Sequence, residues 1–168
     1  AAARQRASRV RPPASGPAAR RVPVPLPGGV LDSSVEAATA LARVGGVVFV
    51  VDGYNVSQNG WPGESAAAQR RRLERALTTL SARTRARFEV VYDGSGSADR
   101  PPRSTRSLGV HTRFAPADTP ADDVVIDVAD SLADLLPVVV VSTDREVREA
   151  AGRRRIRSIT SAQLLAIL

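Results

Sequence analysis

The feature that most constrains this chain is Val47-Val48-Phe49-Val50-Val51-Asp52, a short apolar run that stops on an aspartate. A run so brief and so rich in β-branched side chains does not suit a buried helix. It predicts a strand covered on both faces, the kind found in parallel sheets. The pattern returns twice: Phe88-Glu89-Val90-Val91-Tyr92 ends on Asp93, and Val138-Val139-Val140-Val141-Ser142-Thr143 ends on Asp144. Parallel strands need crossover connections, and right-handed crossovers place all the strand carboxyl ends on one edge of the sheet. Ligands bind along that edge in open α/β sheets. An α/β fold is therefore expected, with a largely parallel central sheet between helical layers and a row of acids at one edge.

The intervening segments agree with this plan. From Ser33 or Ser34, Val35, Ala38, Leu41 and Ala42 recur at helical spacing until Gly45-Gly46. After the strand over 47–52 a loop is expected through Trp61-Pro62-Gly63. A helix follows over 65–82, with Leu73, Ala76, Leu77 and Leu80 inward and Arg70, Arg71, Arg72 and Arg75 around the solvated remainder. Residues 94–106, rich in Gly, Ser, Pro and Arg, predict a mobile loop. Its Gly94-Ser95-Gly96 lacks the third glycine and the helix of a dinucleotide fingerprint. Val110 to Phe114 alternates as a strand that puts His111 on its less apolar face. Thr119-Pro120-Ala121-Asp122-Asp123 opens a helix, with Thr119 as cap and Val124, Val125, Val128 and Leu132 inward. A strand over 138–142, a helix over 144–150, a strand over 155–159 and a helix over 162–168 capped by Ser161 complete the chain.

Residues 1–30 are Ala, Arg, Pro and Gly without apolar periodicity, a composition that cannot repay ordering. They predict a disordered linker or tail ahead of a domain over 31–168. Of the net charge of +7, most lies there, on Arg4, Arg6, Arg9, Arg11, Arg20 and Arg21, and the domain is nearly neutral. A basic tail suits RNA or ribosome contact, or a plain spacer. No apolar run approaches the ~18 residues of a membrane span, and a cytoplasmic protein is expected.

Absences narrow the chemistry. The chain has no cysteine and no lysine, and His111 is its one histidine. Thiolate zinc sites, cysteine nucleophiles, Schiff bases and a Walker lysine are excluded, leaving carboxylates, hydroxyls and arginines. Taken singly, each aspartate has a structural explanation. Asp52 before Gly53 makes a turn, Asp122 sits in a helix's first turn, and Asp144 complements a helix dipole. Gathered at one edge they repel one another, by about 4 kcal/mol for two at 4 Å and an effective dielectric of 20. Such a cluster takes up protons, water or a hard cation. Oxygen ligands without His or Cys point to Mg²⁺ or Mn²⁺ and phosphodiester chemistry.

Four motifs in order, Asp52-Gly53-Tyr54-Asn55-Val56, Val91-Tyr92-Asp93-Gly94, Thr119-Pro120-Ala121-Asp122-Asp123 and Val141-Ser142-Thr143-Asp144-Arg145, resemble those of the NYN domain. This is a PIN-like ribonuclease fold, and the likeness is to its YacP-like branch, of actinobacterial type, over about residues 46–168. The resemblance implies a three-layer α/β/α domain and a metal-dependent endoribonuclease. It implies Asp52 as the first metal carboxylate, Asn55 as its orienting neighbour, Asp122 or Asp123 as the middle ligand and Asp144 as the closing acid. Asp93 matches a strand-end acid of the branch, and Asp127, a turn beyond Asp123, can face the same way. Tyr92 stands where many relatives carry Phe. The function expected is Mg²⁺- or Mn²⁺-dependent cleavage of single-stranded RNA, whether mRNA, tRNA or rRNA, with the ribosome as a further partner. Arg100, Arg103 and Arg106 are expected to steady the RNA backbone. The rival reading is an RNA- or ribosome-binding module of the same fold that cleaves weakly. A phosphatase is disfavoured, because Tyr54 stands where a second acid is needed and no lysine exists.

Overall fold

A computed structural model of the chain describes residues 21–94 and 104–168. Six strands form one sheet in the order β3-β4-β2-β1-β5-β6. These are β1 (Val48–Asp52), β2 (Arg87–Tyr92), β3 (Ser104–Ser107), β4 (Val110–Phe114), β5 (Val138–Val141) and β6 (Arg157–Ile159). All pairings are parallel except that of β3, which runs antiparallel to β4 at the edge. The largely parallel α/β plan read from the sequence is the fold observed.

Helices cover both faces where the strands are apolar. On one side lie α1 (Val35–Ala42), α2 (Gly53–Gly60), α3 (Ala66–Thr84) and α6 (Ser161–Leu165). They enclose Leu41, Phe49, Val56, Leu73, Leu77, Phe88 and Leu164. On the other side α4 (Ala121–Ala133) and α5 (Arg145–Arg153) bury Val50, Val91, Val125, Val140 and Val147. β1 is buried along its whole length, as suits a central strand with four consecutive apolar residues.

Several local expectations are corrected. The segment after Asp52 is a helix, α2, where a loop was expected. Residues 104–107 of the expected mobile loop pair with β4 as a strand, while residues 95–103, with Arg100 and Arg103, lie outside the described residues. Two helix starts differ by one position from the expected caps. Pro120 precedes α4, and Thr160 caps α6 through a reciprocal bond with Gln163. The tail also ends earlier than expected. Residues 1–20 lie outside the described residues, but Val24 is buried in the core, and Arg21 pairs with Asp130 of α4 and with Asp134 just after it, at 2.7 and 2.5 Å. Among the described residues, no helix is long and apolar enough to cross a membrane.

Candidate active site

The site follows from the strand order. The chain runs from β1 outward through β2 to β4, then returns to the opposite side of β1 for β5 and β6. Beyond the carboxyl ends of β1 and β5 the connections diverge and leave a crevice. Asp52 ends β1, Ser142 and Asp144 follow β5, and α4 brings Asp122 in its first turn.

Asp52 is 8% exposed. Its Oδ2 accepts a hydrogen bond from the Ser142 hydroxyl at 3.1 Å. Burial pushes its carboxyl up to about 6. The Ser142 and Asn55 N–H hydrogen bonds oppose this, and the charges of Asp122 and Asp144 add to it. Asp122, open to solvent on one side, is also raised, first by partial burial and then by Asp144, Asp123, Glu146 and Asp93. Asp52, Asp122 and Asp144 thus share one field. Of the alternatives at the start of α4, Asp122 is the residue whose charge reaches Asp52; Asp123 acts on Asp122, and Asp127 is exposed farther along the helix.

Asp144 serves two ends at once. Its Oδ1 caps α5 by accepting from Glu146 N at 2.7 Å, so the helix-cap explanation and the site explanation both hold. Ser142 Oγ ties the two strand ends together, since it donates to Asp52 and accepts from Asp144 N at 3.1 Å. Asn55 works in the same way. Its Oδ1 accepts from Thr143 N at 2.8 Å and from Ser161 Oγ at 2.6 Å, which locks α2 to the end of β5 and the start of α6. Asn55 therefore orients the site's backbone, and it touches Asp52 through its own N–H.

Gly53 permits this closeness: a Cβ there would fall inside the Tyr92 ring. Tyr92 stacks on Phe114 with ring centroids 5.6 Å apart, and its buried hydroxyl has no partner among the described residues, so a Phe-compatible position holds a Tyr. His111 lies on an outer strand with Nδ1 2.8 Å from Glu89, as a strand side chain rather than part of the acid group. Arg106 is exposed on β3. Ser142, Ser161 and Glu146 were not expected as site residues, and Ser161 was read only as a helix cap. The signal for Glu146 was an acid in the first turn of α5; the two serines carried none.

The donor set fits a hard divalent cation. Three mutually repelling carboxylates converge, and among the described residues no Arg or His forms an ion pair with Asp52, Asp122 or Asp144. Among those residues, too, no three carboxylate or imidazole groups stand close enough to hold an ion by themselves.

A family model described as the YacP-like NYN domain matches residues 49–168. The fold is shared with the crystal structure of Rae1 (YacP) from Bacillus subtilis, at 20% identity over 71% of this chain and 71% of that one, TM-score 0.58. A mutant of the same protein gives 21% identity over 71% and 72%, with the same TM-score of 0.58. No curated protein matches the chain.

Proposed function

Since this chain belongs to the YacP-like NYN domain family, we propose that its ribonuclease-type domain is a metal-dependent endoribonuclease acting on single-stranded RNA in the cytoplasm. The observation that carries this reading is the convergence of Asp52, Asp122 and Asp144 at the switch point of the sheet, with no ion pair to a cationic side chain among the described residues. Asp52, Asp122 and Asp144 would hold Mg²⁺ or Mn²⁺, with Asp93 and Asp123 at the margin. When bound, such a cation supplies Lewis acidity at the phosphoryl oxygens and lowers the pKa of attacking water.

The protein's own groups prepare that chemistry. Ser142 and the Asn55 N–H hold the Asp52 carboxylate in one orientation, so little reorganisation is left for the reaction. The Asn55 side chain fixes the loop after β5 and with it Asp144. Arg106, with Arg100 and Arg103 before it in sequence, would contact the RNA backbone.

The test is cleavage of a short labelled RNA, single-stranded or duplexed, by purified protein with Mg²⁺ or Mn²⁺. Internal cuts in the single strand are expected. They should be abolished by chelator and lowered at least ~100-fold by Asp52→Asn, as for loss of a transition-state contact. Tight RNA binding with no cleavage under either cation would replace this reading with the binding module.

A further inference from the structure

Arg70 departs from the solvated arginine face expected of α3. It is 9% exposed. Its Nη1 donates to the Tyr54 hydroxyl at 2.7 Å, and its guanidinium carbon lies 5.7 Å from the Phe114 ring centroid. Tyr54 is in turn tilted against Tyr92 at 4.8 Å between centroids. The guanidinium is thus fixed by aromatic neighbours. Among the described residues no carboxylate pairs with it. Glu74, one turn along α3, accepts instead from the Thr112 hydroxyl at 3.0 Å.

A guanidinium carries five donors and no acceptor, and burying it without an anion is costly. The Tyr54 oxygen satisfies one of those donors. In accepting from Arg70, Tyr54 directs its own O–H elsewhere, and among the described residues that proton has no acceptor. Two kinds of donor therefore converge, with no paired carboxylate among the described residues. Their place in the fold is specific. Tyr54 is two residues beyond Asp52, and Phe114 and Tyr92 end β4 and β2 on the same carboxyl edge. The pair thus belongs to the carboxyl edge that carries Asp52, on the side toward β2 and β4.

We propose that Arg70 and Tyr54 form a phosphate subsite that holds an RNA backbone phosphate next to the one presented to Asp52, Asp122 and Asp144. This rests on the nuclease reading of the acidic site. An acidic centre repels the polyanion it must act on, and a rigid guanidinium at its flank offsets that repulsion for one neighbouring phosphate. The planar fork with a tyrosine hydroxyl matches the tetrahedral oxygens of a phosphodiester.

The test uses a set of short single-stranded RNAs, each with one neutral methylphosphonate linkage at a different position. Their affinity for the full chain is measured by fluorescence anisotropy with Ca²⁺ in place of Mg²⁺. For the wild-type protein, neutralising one particular linkage should weaken binding about ten-fold. Tyr54→Phe, which keeps the ring against Tyr92, should weaken binding of the all-phosphate RNA by a similar factor, lose the discrimination at that linkage, and melt as the wild type does. Arg70→Lys should behave likewise where it folds; Tyr54→Phe decides the matter where it does not. Unaltered discrimination by Tyr54→Phe would overturn the subsite even if the wild type cleaves RNA. Discrimination that depends on Tyr54 in a protein that never cleaves would keep the subsite and remove the enzyme. A wild-type chain that binds none of these RNAs overturns both.

Discussion

At the scale of the residue, Asp52 is held in a conflict that its environment does not resolve. Burial keeps its folded-state pKa near 6 against an ordinary value of 3.8, so between those values the folded chain binds more protons than the unfolded one. Stability from this group is therefore greatest at low pH and falls as pH rises through that interval. When complete the loss is about 3 kcal/mol. Asp122 shifts in the same direction, but its exposure screens it. Asp52→Asn cannot ionise and can still accept from Ser142 and the Asn55 N–H. In chelator, urea unfolding should find the variant more stable by about 1–3 kcal/mol at pH 7.5, with the gain shrinking toward pH 4. A variant destabilised at both pH values would make Asp52 a structural turn residue. That Asp52 and Asp144 share one edge could be read from their places at strand ends. That Ser142 joins them could not, because a serine becomes a bridge only when β1 and β5 are neighbours. Arg70 was misplaced for a related reason: an arginine in a run of arginines gives no sign of the aromatic pair waiting across the helix.

At the scale of the element, the strands were legible and the helix after β1 was not. Five of the six strands announce themselves by apolar runs or alternation, whereas β3 is Ser-Thr-Arg-Ser, exposed throughout and defined only by its bonds to β4. α2 begins and ends with glycine and contains two asparagines, a composition that signals a turn. It is helical because packing overrides propensity. Val56 and Ser57 are fully buried, and Gln69 reaches from α3 to Ser57 and to the Trp61 carbonyl. The first residue of α2 is the tightest point of that packing, with the Tyr92 ring where a Cβ would go. Gly53→Ala should accordingly destabilise by about 1–3 kcal/mol, the usual range for overpacking, although alanine favours helix. Urea unfolding checks this. A gain in stability would mean that the Tyr92 ring yields freely, and the close seat of α2 on β2 would not be what positions Asp52.

At the scale of the whole molecule, the sheet order makes the site, and a strap of chain before α1 helps to hold the sheet. The strap was the part of the fold least visible in the sequence, because residues 21–30 share the Pro- and Gly-rich composition of what precedes them. Their ordering depends on particular distant partners. Arg21 bonds to Asp130, Asp134 and the Arg154 carbonyl, Val24 is buried at 6% exposure, and the Val24 carbonyl accepts from Arg157 of β6 at 2.5 Å. Two truncations separate the strap from the charged segment before it. Deleting residues 1–20 removes Arg4, Arg6, Arg9, Arg11 and Arg20 but none of these contacts. It should leave urea stability unchanged and weaken RNA association mainly at low ionic strength, where unscreened charge acts at a distance. Deleting residues 1–30 should in addition cost about 2–4 kcal/mol, from the lost burial of Val24 and the unpaired donors and carboxylates left on Arg157, Asp130 and Asp134. Cleavage of saturating RNA should persist in both as long as the domain remains folded, since neither cut removes a proposed ligand. Equal stability of the two truncations would reduce residues 21–30 to a passive strap, and unchanged low-salt affinity in the shorter deletion would assign RNA association to the domain alone.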